Sequence, residues 1–216
     1  MKNHTIVCMF SGGIDSSGVL HKLITDAAYQ DYDLIVQHII LQNRENRAQA
    51  EISAVKNIIE YYQENHSDRH FTYTESVFNT TGFAPLKASR FPFDMDVCAF
   101  IAGNIAVARK DVRQIAMGRT KTDVESGGDN FKRRMSRAQK VFQALYSLEA
   151  ESAPEYIFPV VEMTKEEIWE MLPPEVQKAS WYCRHPQYQQ DGSALPCAKC
   201  ITCKEVAEFM SINSVT

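Results

Sequence analysis

The sequence predicts an α/β fold, a doubly wound parallel sheet carrying a small C-terminal four-cysteine metal subdomain, and three observations lead there. Short apolar, β-rich runs alternate with stretches whose apolar residues recur at helical spacing. The first run empties into a glycine-rich turn, and four of the six cysteines crowd into the last 34 residues. Strands that alternate with helices pair in parallel and are covered on both faces of the sheet.

Thr5 to Phe10 is the first strand, and Ser16 to Ile24, with Val19, Leu20 and Leu23 at helical spacing, is the first helix. The unit recurs as Leu34 to Leu41 followed by Arg47 to Tyr62, where Ala50, Ala54, Ile58 and Tyr61 or Tyr62 form an apolar stripe. Phe71 to Val77 is the third strand, and the stretch from Asn79 through Pro92 reads as loop. Helical spacing resumes at Asp94 or Asp96 and runs to about Lys110, before a short strand from Gln114 to Met117. Gly118 opens another loop, and Asp129 or Asn130 caps a helix through about Ser147. Tyr156 to Val161 is the fifth strand; Thr164 with Glu167 forms a capping box for a helix that Pro173 and Pro174 end. The division this implies is a domain over 1–175 and a tail over 176–216.

At 216 residues the chain is long enough for one full core. Its net charge of −4 supplies no overall attraction to nucleic acid, so a small-molecule partner is expected and nucleic acid is not. The basic run Lys132 to Arg137 is a local exception, read as a solvated helix face. No run approaches the length of a membrane span, and the N-terminus lacks the pattern of a signal peptide, so a cytoplasmic protein is expected. A homodimer is the commonest oligomer and the one expected.

Chemistry concentrates in two places. In Ser11-Gly12-Gly13-Ile14-Asp15-Ser16-Ser17, the glycines let the backbone approach an anion and the helix start offers free N–H groups to it, while three serines add hydroxyls. A glycine turn capped by Asp15 or Ser16 is the plainer reading of the same residues. No Lys follows the glycines, and the spacing is not that of a dinucleotide fingerprint. The segment resembles the PP-loop signature Ser-Gly-Gly-x-Asp-Ser of enzymes that cleave ATP between its α and β phosphates. That resemblance implies an adenine nucleotide alpha hydrolase-like fold. Ser11, Gly12, Gly13, Ser16 and Ser17 would hold pyrophosphate, and Asp15 would orient the loop or a Mg²⁺ ion.

The second place is Cys183, Cys197, Cys200 and Cys203, spaced C-x13-C-x2-C-x2-C, which brings four thiolates within reach of one tetrahedral Zn²⁺. An iron-sulfur cluster or disulfides fit the same spacing. His185 reads as a neighbour of the site, and Cys8 and Cys98 as small core residues.

Together the two motifs resemble the 7-cyano-7-deazaguanine synthase family. Arg47-x3-Glu51-Ile52 follows the second strand as in that family, Gly118 and Asp123 match its Gly-x4-Asp loop, Pro159 with Thr164-Lys165 matches a later block, and Trp181-Tyr182-Cys183 leads into the metal site. The resemblance implies that ATP adenylates the carboxylate of a deazapurine, which ammonia converts to an amide and then the nitrile. Asp15, Ser16 and Lys165 would be catalytic, Gly118 and Asp123 would join the nucleotide site, and Arg119 and Lys121 are further cations for the developing charge. The sequence departs from the family at Arg44 to Ala48, Phe93 to Asp96 and Ser126 to Asp129, segments that would line the base pocket. A member acting on another acceptor, such as a base in tRNA, is the alternative.

Overall fold

The computed structural model describes residues 4–86, 94–146 and 154–212. Strand β1 (Thr5–Phe10) is buried along its whole length and sits at the centre of a parallel sheet. Its neighbours are β2 (Asp33–Gln42) and β4 (Val112–Ala116), with β3 (Phe71–Asn79) and β5 (Glu155–Ile157) at the edges, giving the order β3-β2-β1-β4-β5. Alternation sends Ile6, Cys8 and Phe10 to one face of the sheet and Val7 and Met9 to the other. Helices α1 (Ile14–Thr25), α2 (Ala48–Asn65) and α5 (Lys165–Met171) cover the first face; α3 (Asp94–Ala108) and α4 (Lys121–Tyr146) cover the second.

The doubly wound parallel sheet is the predicted one, with differences at the C-terminal half. The helix expected to begin at Asp129 or Asn130 follows a break at Gly128, whose φ of +50 glycine tolerates, and a further helical stretch from Lys121, grouped with it as α4, precedes that break. Its expected end at Ser147 and the loop from 87 to Pro92 lie outside the described residues. The fifth strand stops at Ile157 rather than Val161. Pro159 has no N–H for a ladder, and the chain turns there, with Val161 N–H donating to Phe158 O at 3.0 Å and Met163 N–H to Val160 O at 3.0 Å.

The capping box at Thr164 and Glu167 is formed as expected. The two prolines end α5 and open a further helix, α6 (Pro174–Ala179), where Pro174 takes the first helical position. Beyond it come a two-stranded hairpin, β6 (Gln187–Tyr188) with β7 (Ala194–Leu195), and α7 (Ile201–Ile212). Val206 and Phe209 of α7 join the same buried cluster as Val19 and Leu20. Among the described residues no helix is long and apolar enough to cross a membrane.

Candidate functional site

The strand order reverses between β2 and β4 on either side of β1, and in open parallel sheets the crevice beyond such a reversal is where ligands bind. The segment after β1 occupies it. Gly12 has φ +73, and a Cβ there would meet Val55 Cγ2 at 2.9 Å and Val55 N at 3.1 Å, so both conformation and space demand glycine. Gly13 is the N-cap of α1 and no side chain caps it, which leaves the first-turn N–H groups for an anion. Ser16 Oγ locks the loop: it donates to Gly13 O at 3.0 Å, accepts from Ser11 N–H at 3.2 Å, and lies 3.0 Å from Ser11 Oγ. Ser17 points elsewhere, buried and accepting a hydrogen bond from Ser180 Oγ at 3.2 Å. Gly118, just past β4, lies against the same turn, where a Cβ would come within 3.1 Å of Ser16 N.

Charges gather above the loop. Burial pushes the Asp15 carboxyl up to about 6, with Lys165 opposing and Asp123 adding to the shift. Its Oδ1 is buried and has no hydrogen-bond partner among the described residues. Asp123 Oδ2 accepts from Thr120 N–H at 3.2 Å while Thr120 Oγ1 accepts from Asp123 N–H at 3.2 Å, which pins the start of α4. An unsatisfied buried carboxylate oxygen facing a second carboxylate fits a hard divalent cation such as Mg²⁺. Lys165 opens α5, and its ammonium donates to Glu205 Oε2 of α7 at 3.0 Å. Burial works against that charge, but Asp15 and Glu205 outweigh it and raise the pKa.

Two cavities meet over the loop and share Ser11, Asp15, Ser16, Arg47 and Glu51. One, of about 210 Å³, has apolar walls from Met9, Ile39, Leu41 and Met117. The other, of about 120 Å³, is lined by Lys165, Trp181, Tyr182 and Arg184. Between them lies a charge network drawn from Arg44 to Ala48 and Phe93 to Asp96, segments the resemblance places at the base pocket, together with Glu51 and Arg184. Arg47 pairs with Asp94, with Glu45 at 3.1 Å and with Glu51 at 3.3 Å, and Arg184 pairs with Glu45 at 2.9 Å. Burial pushes Glu51 up to about 7 despite Arg47. The spacing of Arg47 and Glu51, four apart on one helix face, was the only local signal. Asp94 and Arg184 arrive from distant segments.

The cysteines converge as the spacing predicts. All four sulfurs of Cys183, Cys197, Cys200 and Cys203 lie within 4.8 Å of one another, and no histidine joins the set among the described residues. None is in a disulfide. Backbone N–H groups of His185 and Cys197 point at Cys183 Sγ, at 3.3 and 3.2 Å, and those of Lys199 and Cys200 at Cys197 Sγ, at 3.5 and 3.4 Å. Such donors stabilise thiolates, and the donor set fits zinc or an iron-sulfur cluster equally. Cys8 is in the core and Cys98 borders the larger cavity; burial pushes both thiols up to about 12. The tail carrying the metal ligands touches the loop directly, with Trp181 N–H donating to Gly12 O at 2.8 Å.

No family model and no curated protein matches the chain in sequence. Among solved structures it is similar to the U34-tRNA thiolase NcsA from Methanococcus maripaludis, described with its [4Fe-4S] cluster, at a TM-score of 0.52 and 16% identity, over 98% of this chain and 65% of that one. The fold is shared with a tRNA thiolase. The chain spans less than two thirds of the thiolase's length. In this chain the fold carries a parallel sheet that reverses at β1 and a four-cysteine cluster between Cys183 and Cys203.

Proposed function

We propose that the chain is an ATP-dependent ligase that adenylates the carboxylate of a deazapurine, 7-carboxy-7-deazaguanine, and converts it with ammonia to the amide or nitrile. The observation that carries this reading is the uncapped start of α1 opening between Asp15 and Lys165 at the sheet's reversal point. Pyrophosphate would lie on the first-turn N–H groups of α1 and Ser11, with the Lys165 ammonium taking up the charge that develops on it. Adenosine would fill the apolar cavity walled by Met9, Ile39, Leu41 and Met117, its phosphates running toward Gly118 and Ser16. Asp15 and Asp123 would hold Mg²⁺, which neutralises phosphate charge.

In the first step a carboxylate oxygen bonds to the α-phosphorus as the α–β bridging bond breaks and pyrophosphate leaves. Ammonia then adds to the acyl carbon, AMP leaves, and a proton is lost to give the amide. Nitrile formation repeats the activation on the amide oxygen with a second ATP, and loss of AMP and protons forms the triple bond. The protein's part is alignment and exclusion of water that would hydrolyse the adenylate. The cysteines would hold a zinc ion that ties the tail to the loop, a structural role.

A second reading, adenylation of a base in tRNA, is favoured by the likeness to the thiolase and by the exposed basic face of α4 from Lys132 to Arg137. The net charge of −4 counts against it. Purified protein incubated with ATP, Mg²⁺ and ammonium, and either 7-carboxy-7-deazaguanine or bulk tRNA, separates them. AMP and a base of altered mass with the small acid support the ligase; AMP formed only with tRNA refutes it. Metal analysis of the same sample distinguishes zinc from iron.

A further inference from the structure

Beside the phosphate loop, on the far side of Gly118, a cavity of about 280 Å³ opens between α4 and the edge strand β5. Met117 lines both this cavity and the larger one over the loop, so the two adjoin. Arg119 stands at the joint. It is only 7% exposed, and among the described residues no carboxylate comes within ion-pair distance of it, although the charges of Asp123 and Asp15 act on it from farther off. One terminal nitrogen donates to Met95 Sδ at 2.7 Å, a weak acceptor, and Nε is buried with no partner among the described residues. The guanidinium lies over the rings of Phe131 at 4.6 Å and Phe158 at 5.9 Å, which position it without neutralising it. Arginines this deeply buried are ordinarily paired with an anion.

The walls have a second unsatisfied group. Tyr156 Oη is buried without a hydrogen-bond partner among the described residues. Its ring meets Phe142 edge to face at 4.9 Å and runs parallel to Phe158 at 6.4 Å, and Gln139 and Gln143 of α4 also line the cavity. Flat aromatic walls, a few unspent polar groups and one unpaired cation at the mouth describe a planar acid.

We propose that this cavity is the acceptor site, taking a flat aromatic or heteroaromatic monocarboxylate no larger than a bicyclic ring, with its carboxylate on Arg119 and its ring among Phe142, Tyr156 and Phe158. Tyr156 Oη and the two glutamines meet the polar edge of the ring. The inference rests on the carboxylate-activating reading above and adds where the acid binds and what selects it. A carboxylate on Arg119 faces the cavity over the loop, where the α-phosphate would lie. A nucleobase, which has no carboxylate, would leave the guanidinium unpaired.

Calorimetric titration of the metal-loaded, full-length protein, saturated with α,β-methylene ATP, tests this with 7-carboxy-7-deazaguanine, indole-3-carboxylate and 7-deazaguanine. Arg119→Gln is expected to weaken both carboxylates by about tenfold to a hundredfold, as for a lost charged hydrogen bond, and by at least about threefold more than it weakens the ATP analogue. Arg119→Lys recovers part of the loss. Tyr156→Phe, which keeps the packing, weakens 7-carboxy-7-deazaguanine by about fivefold or more. 7-Deazaguanine, lacking the acid, binds the wild type at least about tenfold more weakly than its carboxylate. Carboxylate binding that ignores Arg119→Gln, or no carboxylate binding by protein that binds the ATP analogue, overturns the assignment. If indole-3-carboxylate binds through Arg119 but 7-carboxy-7-deazaguanine does not, the acceptor site stands and the deazapurine reading falls. Arg119-dependent binding without AMP formation in turnover leaves the site standing and removes the ligase.

Discussion

Gly118 offers the sharpest test of how the loop is held. Its φ is not positive, so alanine there adds no backbone strain; the cost is purely one of space. The new Cβ would sit 3.1 Å from Ser16 N and 3.2 Å from Asp15 C and Cβ, where ordinary contact begins at 3.4 Å. These atoms belong to the first turn of α1, so a shift of about 0.3 Å must be taken up by the N–H groups proposed to hold phosphate. Overpacking of this kind costs about 1–3 kcal/mol, a fall in Tm of several degrees for a chain of this size. If the displaced turn loses one charged hydrogen bond to phosphate, ATP affinity drops by about 10- to 100-fold. Gly82→Ala is the control, since a Cβ there meets nothing within 4 Å; its effect should stay within about 0.5 kcal/mol. Thermal melts and calorimetric ATP titration read both quantities. Gly118→Ala that melts and binds ATP like Gly82→Ala would refute the packing of β4's end against the loop.

Ser16→Ala should abolish measurable ATP turnover by releasing Ser11 and Gly13, whereas Ser180→Ala, which removes the buried partner of Ser17, should cost about 1 kcal/mol in urea unfolding and leave ATP binding nearly intact. Cys197→Ser, or exhaustive chelation, should release the bound metal and weaken ATP binding as well, checked by metal analysis beside calorimetry; full ATP affinity in metal-free protein would sever the tail from the loop. Glu205→Gln should lower ATP turnover in the same direction as Lys165→Met, because it removes the partner that holds the ammonium, and the double variant should be no worse than Lys165→Met alone. His38 is buried with Nδ1 2.9 Å from Phe10 O, and burial lowers its pKa below the ordinary 6.5. A depressed histidine contributes stability that is full above the unfolded pKa and is lost as pH falls through the folded one, so urea midpoints should fall on acidification below pH 6.5 and His38→Gln should flatten that limb.

What the sequence revealed follows from how local each signal is. Thr5 to Phe10 was legible to the residue because every one of its side chains is buried between flanking layers and a glycine turn ends it. The four cysteines were legible because metal-ligand spacing is short-range and chemically restrictive. The helix at Lys121 was not, because Gly127 and Gly128 read as a loop while the Thr120 and Asp123 cap that starts the helix lies upstream of them. The charge network was legible only in part: Arg47 and Asp94 fall in segments the resemblance places at the base pocket, but their pairing with each other and with Arg184 arises only once α2, α3 and the tail are docked on the sheet. Arg119 reads in the sequence as a further cation for the developing charge, and its burial without an ion-pair partner among the described residues is visible only in the structure.

The placement of the tail connects these pieces. Trp181 fastens to Gly12, Arg184 to Glu45 beside the two cavities over the loop, and Glu205 to Lys165, so each wall of the phosphate site has one contact from the segment that carries the cysteines. A zinc ion in a four-thiolate shell has no open position for substrate, and its influence on the chemistry would pass through these three contacts. Lys165 makes the point most directly. Its charge is opposed by burial and sustained by Asp15 and Glu205, one from the loop and one from the tail. When a nucleotide brings further negative charge to the loop, a lysine already anchored on α7 needs no rearrangement to meet it, which is the preorganisation that charge development in the transition state rewards.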